Sequence, residues 1–100
     1  MIRIIESQTS IDWIKALRDR SAQTRIAARI RRLQLGNPGD IKPVGGGISE
    51  LRINYGPGYR VYLVQRAATI IVLLCGGDKS TQSADIAKAK ALAKETYDAE

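Results

Sequence analysis

Four residues in one stretch of this chain have the types and spacing needed to hold an anion. They are Arg52, Asn54, Arg60 and Tyr62, in the run ELRINYGPGYRVYLV. Leu51, Ile53 and Tyr55 alternate with Glu50, Arg52 and Asn54, and Tyr59, Val61 and Leu63 alternate with Arg60, Tyr62 and Val64. Period-two alternation predicts half-buried antiparallel strands. A three-residue turn at Gly56-Pro57-Gly58 sets Tyr55 opposite Tyr59, Ile53 opposite Val61 and Leu51 opposite Leu63. Asn54 then faces Arg60, and Arg52 faces Tyr62. Directly opposed residues share a sheet face, so these four form one cationic patch with the core behind them. Guanidinium groups on a rigid sheet suit phosphate, which they bind through paired donors. The plainer alternative is a pair of solvated strand charges partnered by Glu50.

Other groups bear on the same chemistry. Lys79 lies in a turn just past an apolar strand, where a long side chain can reach over the sheet, although most turn lysines are simply exposed. Ser80 has no base near it in sequence and reads as a helix cap. Tyr55 and Tyr59 fall on the core face, whereas Tyr62 falls on the arginine face and is the candidate for stacking an RNA base. Trp13 reads as helix core. Arg25, Arg29 and Arg32 recur at helical spacing, with Arg18, Arg20 and Arg31 nearby. That stripe is either a solvated helix face or a contact for RNA phosphates or an acidic protein segment. Lys88, Lys90 and Lys94 on the last helix extend either surface.

These residues need elements to position them. Met1 to Ile5 reads as a strand. Ser10 caps a helix carrying Ile11, Trp13, Ile14 and Leu17, and Ser21 caps a second carrying Ala22, Ile26, Ile30 and Leu33. Gly36 ends that helix, and Asn37-Pro38-Gly39-Asp40 turns the chain. Ile41 to Gly47 reads as a flexible linker, because its GGG lacks the spacing and lysine of a phosphate loop. Three strands follow, Ile48 to Tyr55, Tyr59 to Gln65 and Thr69 to Gly76, the last apolar throughout and therefore covered on both faces. Ser80 or Thr81 caps a final helix with Ile86, Ala89, Ala93 and Tyr97 on one stripe. The predicted class is α+β, ordered β-α-α-β-β-β-α, with a small, mostly antiparallel sheet, a helical hairpin on one face and a C-terminal helix. The other sheet face is expected to stay partly open, with Arg52 and Arg60 lining it.

Composition narrows the field. One hundred residues suit a single domain spanning 1–100. A hydrophobic content of 44% fits a globular chain, not a disordered one. No apolar run reaches the twenty or so residues of a membrane span, and MIRIIESQTS has no signal region, so a cytoplasmic location is expected. The chain has no histidine and one cysteine, Cys75, which reads as a small core residue. A zinc site and a serine–histidine triad are therefore not expected, and no cofactor is implied. The charge of +6 favours a polyanionic partner.

ELRINYGPGYRVY followed by LLCGGDKSTQSADI resembles the RelE/ParE/HigB superfamily of toxins from type II toxin–antitoxin systems. Its similarity is greatest to the addiction-module killer proteins, the phage Gp49-like HigB subgroup, and it runs over nearly the whole chain. The resemblance implies a RelE-like fold and a metal-independent, ribosome-dependent endoribonuclease, an mRNA interferase. Such an enzyme inhibits translation by attack of a ribose 2′-hydroxyl on the adjacent phosphate. It implies that Arg60, in the YRV string, contacts the scissile phosphate, that Arg52, in the ELR string, belongs to the site, and that Lys79 stabilises charge. Tyr62, Asn54, Arg25, Arg29 and Arg32 are the expected RNA contacts. The implied partners are mRNA, the ribosome and a cognate antitoxin, a small helix-turn-helix protein forming a hetero-oligomer with the toxin.

One departure from the family pattern stands out. Where several such toxins carry a tyrosine or histidine, this chain has TQSADIAKAK, with Asp85 in place of an aromatic residue. Lys79 and Asp85 remain as possible proton-transfer groups. A ParE-like inhibitor of DNA gyrase without nuclease activity, or a non-catalytic nucleic-acid-binding module, fits the absence of an evident base.

Overall fold

The alternation in the middle of the chain builds the centre of a five-stranded mixed sheet. The computed structural model describes residues 1–97, with side chains through residue 94. Strand β1 is Arg3–Glu6, β2 Ile41–Gly45, β3 Ile48–Ile53, β4 Tyr59–Ala67 and β5 Ile70–Asp78. Their order across the sheet is β1-β5-β4-β3-β2, with β1 parallel to β5 and every other pair antiparallel. Helices α1 (Gln8–Ala16) and α2 (Arg20–Gln34) pack on one face, and α3 (Gln82–Tyr97) follows a 3-10 turn at Lys79–Thr81. The α+β class stands, with one strand more than the sequence suggests.

Both sheet faces are covered. Leu51, Ile53, Val61, Leu63, Ile71 and Leu73 meet Ile26 and Leu33 of α2, with Trp13, Ile14 and Leu17 alongside. On the other face Ile48, Tyr62, Val72, Leu74 and Cys75 meet Ala89 of α3, with Ile86, Leu92 and Ala93 around it. The unbroken apolar run of β5 thus serves two cores, as its pattern predicts. Leu74 is the extra residue of a bulge between Tyr62↔Cys75 and Leu63↔Leu73. That bulge turns Leu74 and Cys75 toward α3 together. Helix α3 lies over the middle of the second face, and the face stays open, as expected, where Arg52 and Arg60 line it.

The two glycines ending β5 show how closely the helices approach. A Cβ on Gly76 would lie 2.3 Å from the Trp13 ring, and one on Gly77 would lie 1.8 Å from Asp85 Oδ2. Each glycine admits one helix, one on each face. Neither has the positive φ that would demand glycine for conformational reasons, so space is the reason.

The hairpin register differs from the expected one by two residues. Ile53 pairs with Tyr59, Arg52 with Arg60, Leu51 with Val61 and Glu50 with Tyr62. The loop is longer than Gly56-Pro57-Gly58 because Tyr55 N–H bonds back to Ile53 O at 2.9 Å and Gly58 N–H to Tyr55 O at 3.1 Å. A shift of two leaves every side chain on its predicted face, where a shift of one would have inverted them all. The faces are therefore as expected and the partners are not.

Residues 41–47 are not a linker. Ile41 and Lys42 pair with Leu51 and Glu50, so β2 is an edge strand, and Pro43 beside a bulge is compatible with that position. The glycines form the β2–β3 turn, with positive φ at Gly45, Gly46 and Gly47. The caps also move. Ser7, not Ser10, caps α1, its Oγ accepting from Ser10 N at 3.1 Å. Asp19, not Ser21, caps α2, accepting from Ser21 N at 2.9 Å. Asp78, not Ser80 or Thr81, caps the turn into α3, accepting from Ser80 N at 2.8 Å. Each cap lies two or three residues before the expected one, where its side-chain oxygen reaches the free amides of the first turn. The Tyr97 side chain lies outside the described residues.

Candidate anion-binding groove

At the turn end of the β3–β4 hairpin the sheet is left uncovered. There Asp40, Arg52, Asn54, Gly56, Pro57, Gly58, Arg60 and Lys79 line an open groove of about 320 Å³. Strand pairing explains the convergence. Arg52 and Arg60 are direct cross-strand partners. Arg60 pairs on its other side with Gly77, and Tyr59 with Asp78, so the chain leaves β5 beside the start of β4. Lys79 follows at once, and its Cβ is 3.5 Å from where a Cβ on Gly58 would sit. Arg52, Arg60, Lys79 and Asn54, singled out from sequence, thus share one wall.

The two arginines are held differently. Arg52 donates from Nε and Nη2 to Asp40 Oδ1 at 3.1 and 2.9 Å, in a pair whose side chains are 38% and 50% exposed. Such an exposed pair contributes little stability, so Arg52 exchanges partners readily. Arg60 is only 12% exposed, and its Nε lies 3.6 Å from Oε1 of Glu50, a carboxylate 1% exposed. Glu50 Oε2 accepts from the Tyr62 hydroxyl at 3.1 Å and from Gln82 Nε2 at 2.7 Å. Burial, then the charge of Glu50 and the bond to it, pushes the Tyr62 hydroxyl above its ordinary value.

Tyr62 therefore does not present its ring to a ligand. It lies on the predicted face, but α3 covers that part of the face and leaves the residue 0% exposed. The α2 stripe also divides. Arg25 stacks its guanidinium over Tyr55, 4.4 Å from the ring centroid, and Tyr55 donates its hydroxyl to Asp19 Oδ2 at 2.9 Å. Arg29 donates to the backbone carbonyls of Arg52, Pro38 (3.0 Å) and Asp40 (3.2 Å). Its fork is committed to tying α2 to β3 and to the turn that carries Asp40, and it is not an outward RNA contact. Arg32 is exposed on α2. Trp13 packs edge-on against Tyr59 at 6.2 Å between centroids.

Asp85 is occupied elsewhere. Its Oδ2 accepts from Thr81 Oγ1 at 2.5 Å, and it does not line the groove. Among the described residues the carboxylate that does so is Asp40. Sequence reading takes Asp40 only as a turn residue and gives Gln82 no role. It treats Glu50 as a possible surface partner of the arginines. The signal for Glu50 is its alternation with Arg52 on one face, which becomes informative only once α3 is known to cover that face. Cys75 is buried, and burial followed by the nearby Asp85 charge lifts its thiol from 9.0 to about 11.

The chain is a small α+β fold with a groove at a hairpin end lined by Arg52, Arg60 and Lys79. Residues 12–98 match the family described as phage-derived protein Gp49-like (DUF891). The chain belongs to that family, which is part of the RelE/HigB toxin-like group. It is also 53% identical over 94 residues to a Haemophilus influenzae protein described as an uncharacterized protein, covering 94% of this chain and 95% of that one. No solved structure matches the chain. Family membership points to a toxin of a toxin–antitoxin system and hence to an antitoxin partner. Among the described residues no helix is long and apolar enough to cross a membrane.

Proposed function

We propose that this protein is the toxin of a type II toxin–antitoxin system that cleaves mRNA on the ribosome in the bacterial cytoplasm. The observation that carries this reading is the convergence of Arg52, Arg60 and Lys79 on one open groove. In the reaction the ribose 2′-oxygen bonds to the adjacent phosphorus and the bond to the 5′-oxygen breaks. The products are a 2′,3′-cyclic phosphate and a 5′-hydroxyl. A proton must leave the 2′-hydroxyl and another must reach the 5′-oxygen. Arg60 and Arg52 neutralise the phosphate as charge builds on it, Lys79 supports the leaving oxygen, and Asn54 bonds the sugar or base. Asp40 is the proton acceptor at hand: when phosphate takes Arg52, the carboxylate paired with that arginine is released. Preorganised cations and alignment on the ribosome supply most of the rate. A small helix-turn-helix antitoxin with acidic segments is the complementary partner for this basic surface.

The test is cleavage by purified protein, with and without programmed ribosomes. Arg60→Ala leaves the buried Glu50 without its cation and is expected to lower stability; protein shown to be folded by circular dichroism should lose about a hundredfold to a thousandfold in rate, the usual cost of one transition-state donor. A parent that cuts no RNA in either setting, and that blocks gyrase supercoiling, refutes the nuclease reading in favour of a ParE-like one.

A further inference from the structure

The groove has a buried base plate whose parts come from three elements. Glu50 on β3 is 1% exposed, and Tyr62 on β4 and Gln82 at the start of α3 both donate to its Oε2. That leaves Oε1 directed at Arg60. Glu50 Oε1 and Arg60 Nε are both buried and make no hydrogen bond elsewhere, and they face each other at 3.6 Å. The distance is just beyond hydrogen-bond range, so the contact is an ion pair with room to tighten by a few tenths of an ångström.

A buried ion pair is a poor stability device. Its desolvation cost is large, and apolar replacements are often as stable or more so. A chain of this length has little stability to spare. The location of the pair suggests another role. Glu50 engages Arg60 at Nε, the inner nitrogen, Nη1 makes a long 3.5 Å bond to the Tyr59 carbonyl, and Arg60 lines the groove. Tyr62 and Gln82 hold the carboxylate in one orientation. A carboxylate fixed at Nε orients the planar fork, and with Nη1 on the Tyr59 carbonyl it leaves Nη2 for a ligand. Arg52, by contrast, meets Asp40 through both Nε and Nη2 on the exposed rim.

We propose that Glu50 is the positioning residue for Arg60. Held by Tyr62 and Gln82, it locks the Arg60 guanidinium at Nε so that Nη2 presents a preformed donor to one phosphate of single-stranded RNA. The ligand named here rests on the nuclease reading, whereas the lock itself does not. Glu50 acts through Arg60 alone and touches no reacting atom.

The lock is read directly from the Nε–Hε resonance of Arg60 by heteronuclear NMR, with and without a short RNA bearing a 2′-O-methyl group that prevents cleavage. In the parent this resonance is expected to be distinct and slow to exchange with water, and to shift on RNA addition. Glu50→Gln keeps the shape and removes the charge. It is expected to collapse that resonance into the solvent-exchanging arginine envelope while the backbone spectrum stays dispersed. Cleavage by Glu50→Gln should fall about a hundredfold, the scale of a misplacement near one ångström. In an Arg60→Ala background the same change should cost nothing further, because its route of action is already gone. If Glu50→Gln does not fold, Tyr62→Phe carries the test, since it removes one anchoring donor and keeps the ring; faster exchange of the Arg60 resonance is expected. An Arg60 resonance unchanged in either folded variant overturns the proposal, as does an undiminished Glu50→Gln effect in the Arg60→Ala background. A parent with the slow resonance that neither shifts with RNA nor cuts it keeps the lock and removes the RNA reading.

Discussion

Replacing Arg29 separates a structural clamp from a nucleic-acid contact. Arg29 bonds three carbonyls: Arg52 O and Pro38 O in half-buried positions, and Asp40 O in an exposed one. A charge-assisted bond contributes about 1.5 kcal/mol net at the low end, where a half-buried one falls, and the exposed one adds little. Arg29→Ala should therefore destabilise the fold by ~2–3 kcal/mol. For a domain of this size each kcal/mol moves the melting temperature by about 4–8 °C, so a fall of about 10–20 °C is expected in a thermal unfolding scan. Arg29→Lys should recover only part of it, because an ammonium is a point donor and cannot span three carbonyls as a planar fork does. Arg32→Ala, on the exposed side of the same helix, should change stability by less than about 0.5 kcal/mol. If Arg29→Ala melts like the parent and loses RNA affinity to the same degree as Arg32→Ala, the clamp is wrong and the stripe is one binding surface.

Gly76→Ala should destabilise by about 1–3 kcal/mol, the usual cost of overpacking, since its Cβ would sit 2.3 Å from the Trp13 ring. In a Trp13→Leu background the same change should cost far less, and equal costs in both backgrounds by denaturant titration would show that the ring is not the obstacle. Asp78 accepts from the Ser80 hydroxyl and then from its amide, which holds its carboxyl below the usual 3.8. Its folded value is the lower one, so its contribution is complete above about pH 4 and disappears as pH falls through that lowered value. The stability gap between the parent and Asp78→Asn should accordingly close on acidification, and a gap constant from pH 7 to pH 2 would count against this charge effect.

The legible part of this molecule was whatever depends on local periodicity. Alternation at residues 50–55 and 59–64 set which side chains share a face, and an even shift of register preserved that answer. Helical spacing picked out Ala22, Ile26, Ile30 and Leu33, and the unbroken apolar run of β5 announced a strand covered on both sides. Arg52, Asn54, Arg60 and Lys79 were found as a group because strand pairing and a following turn bring them together over short sequence distances. Periodicity was silent on β2: its few residues include Pro43 and lead into three glycines, so pairing with β3 outweighed propensity.

Tertiary structure decided what each residue on a face is free to do. Arg52 and Tyr62 share a face in one hairpin, yet one lines an open groove and the other is sealed beneath α3. Nothing in their own strands distinguishes them, because the difference comes from where a helix twenty or more residues away is laid down. The same docking buries Glu50 and places Gln82 against it, turning a residue that reads as a solvated strand charge into the anchor facing Arg60. The α2 stripe shows the same limit. Arg25, Arg29 and Arg32 are equivalent by spacing, and only the packing of α2 against β3 and the turn at residues 37–40 makes Arg29 a clamp and leaves Arg32 in water. Periodicity specifies direction relative to one element, whereas burial and partnership depend on a second element brought near by the whole chain, and the site here is assembled from β3, β4, the turn into α3 and the connection before β2.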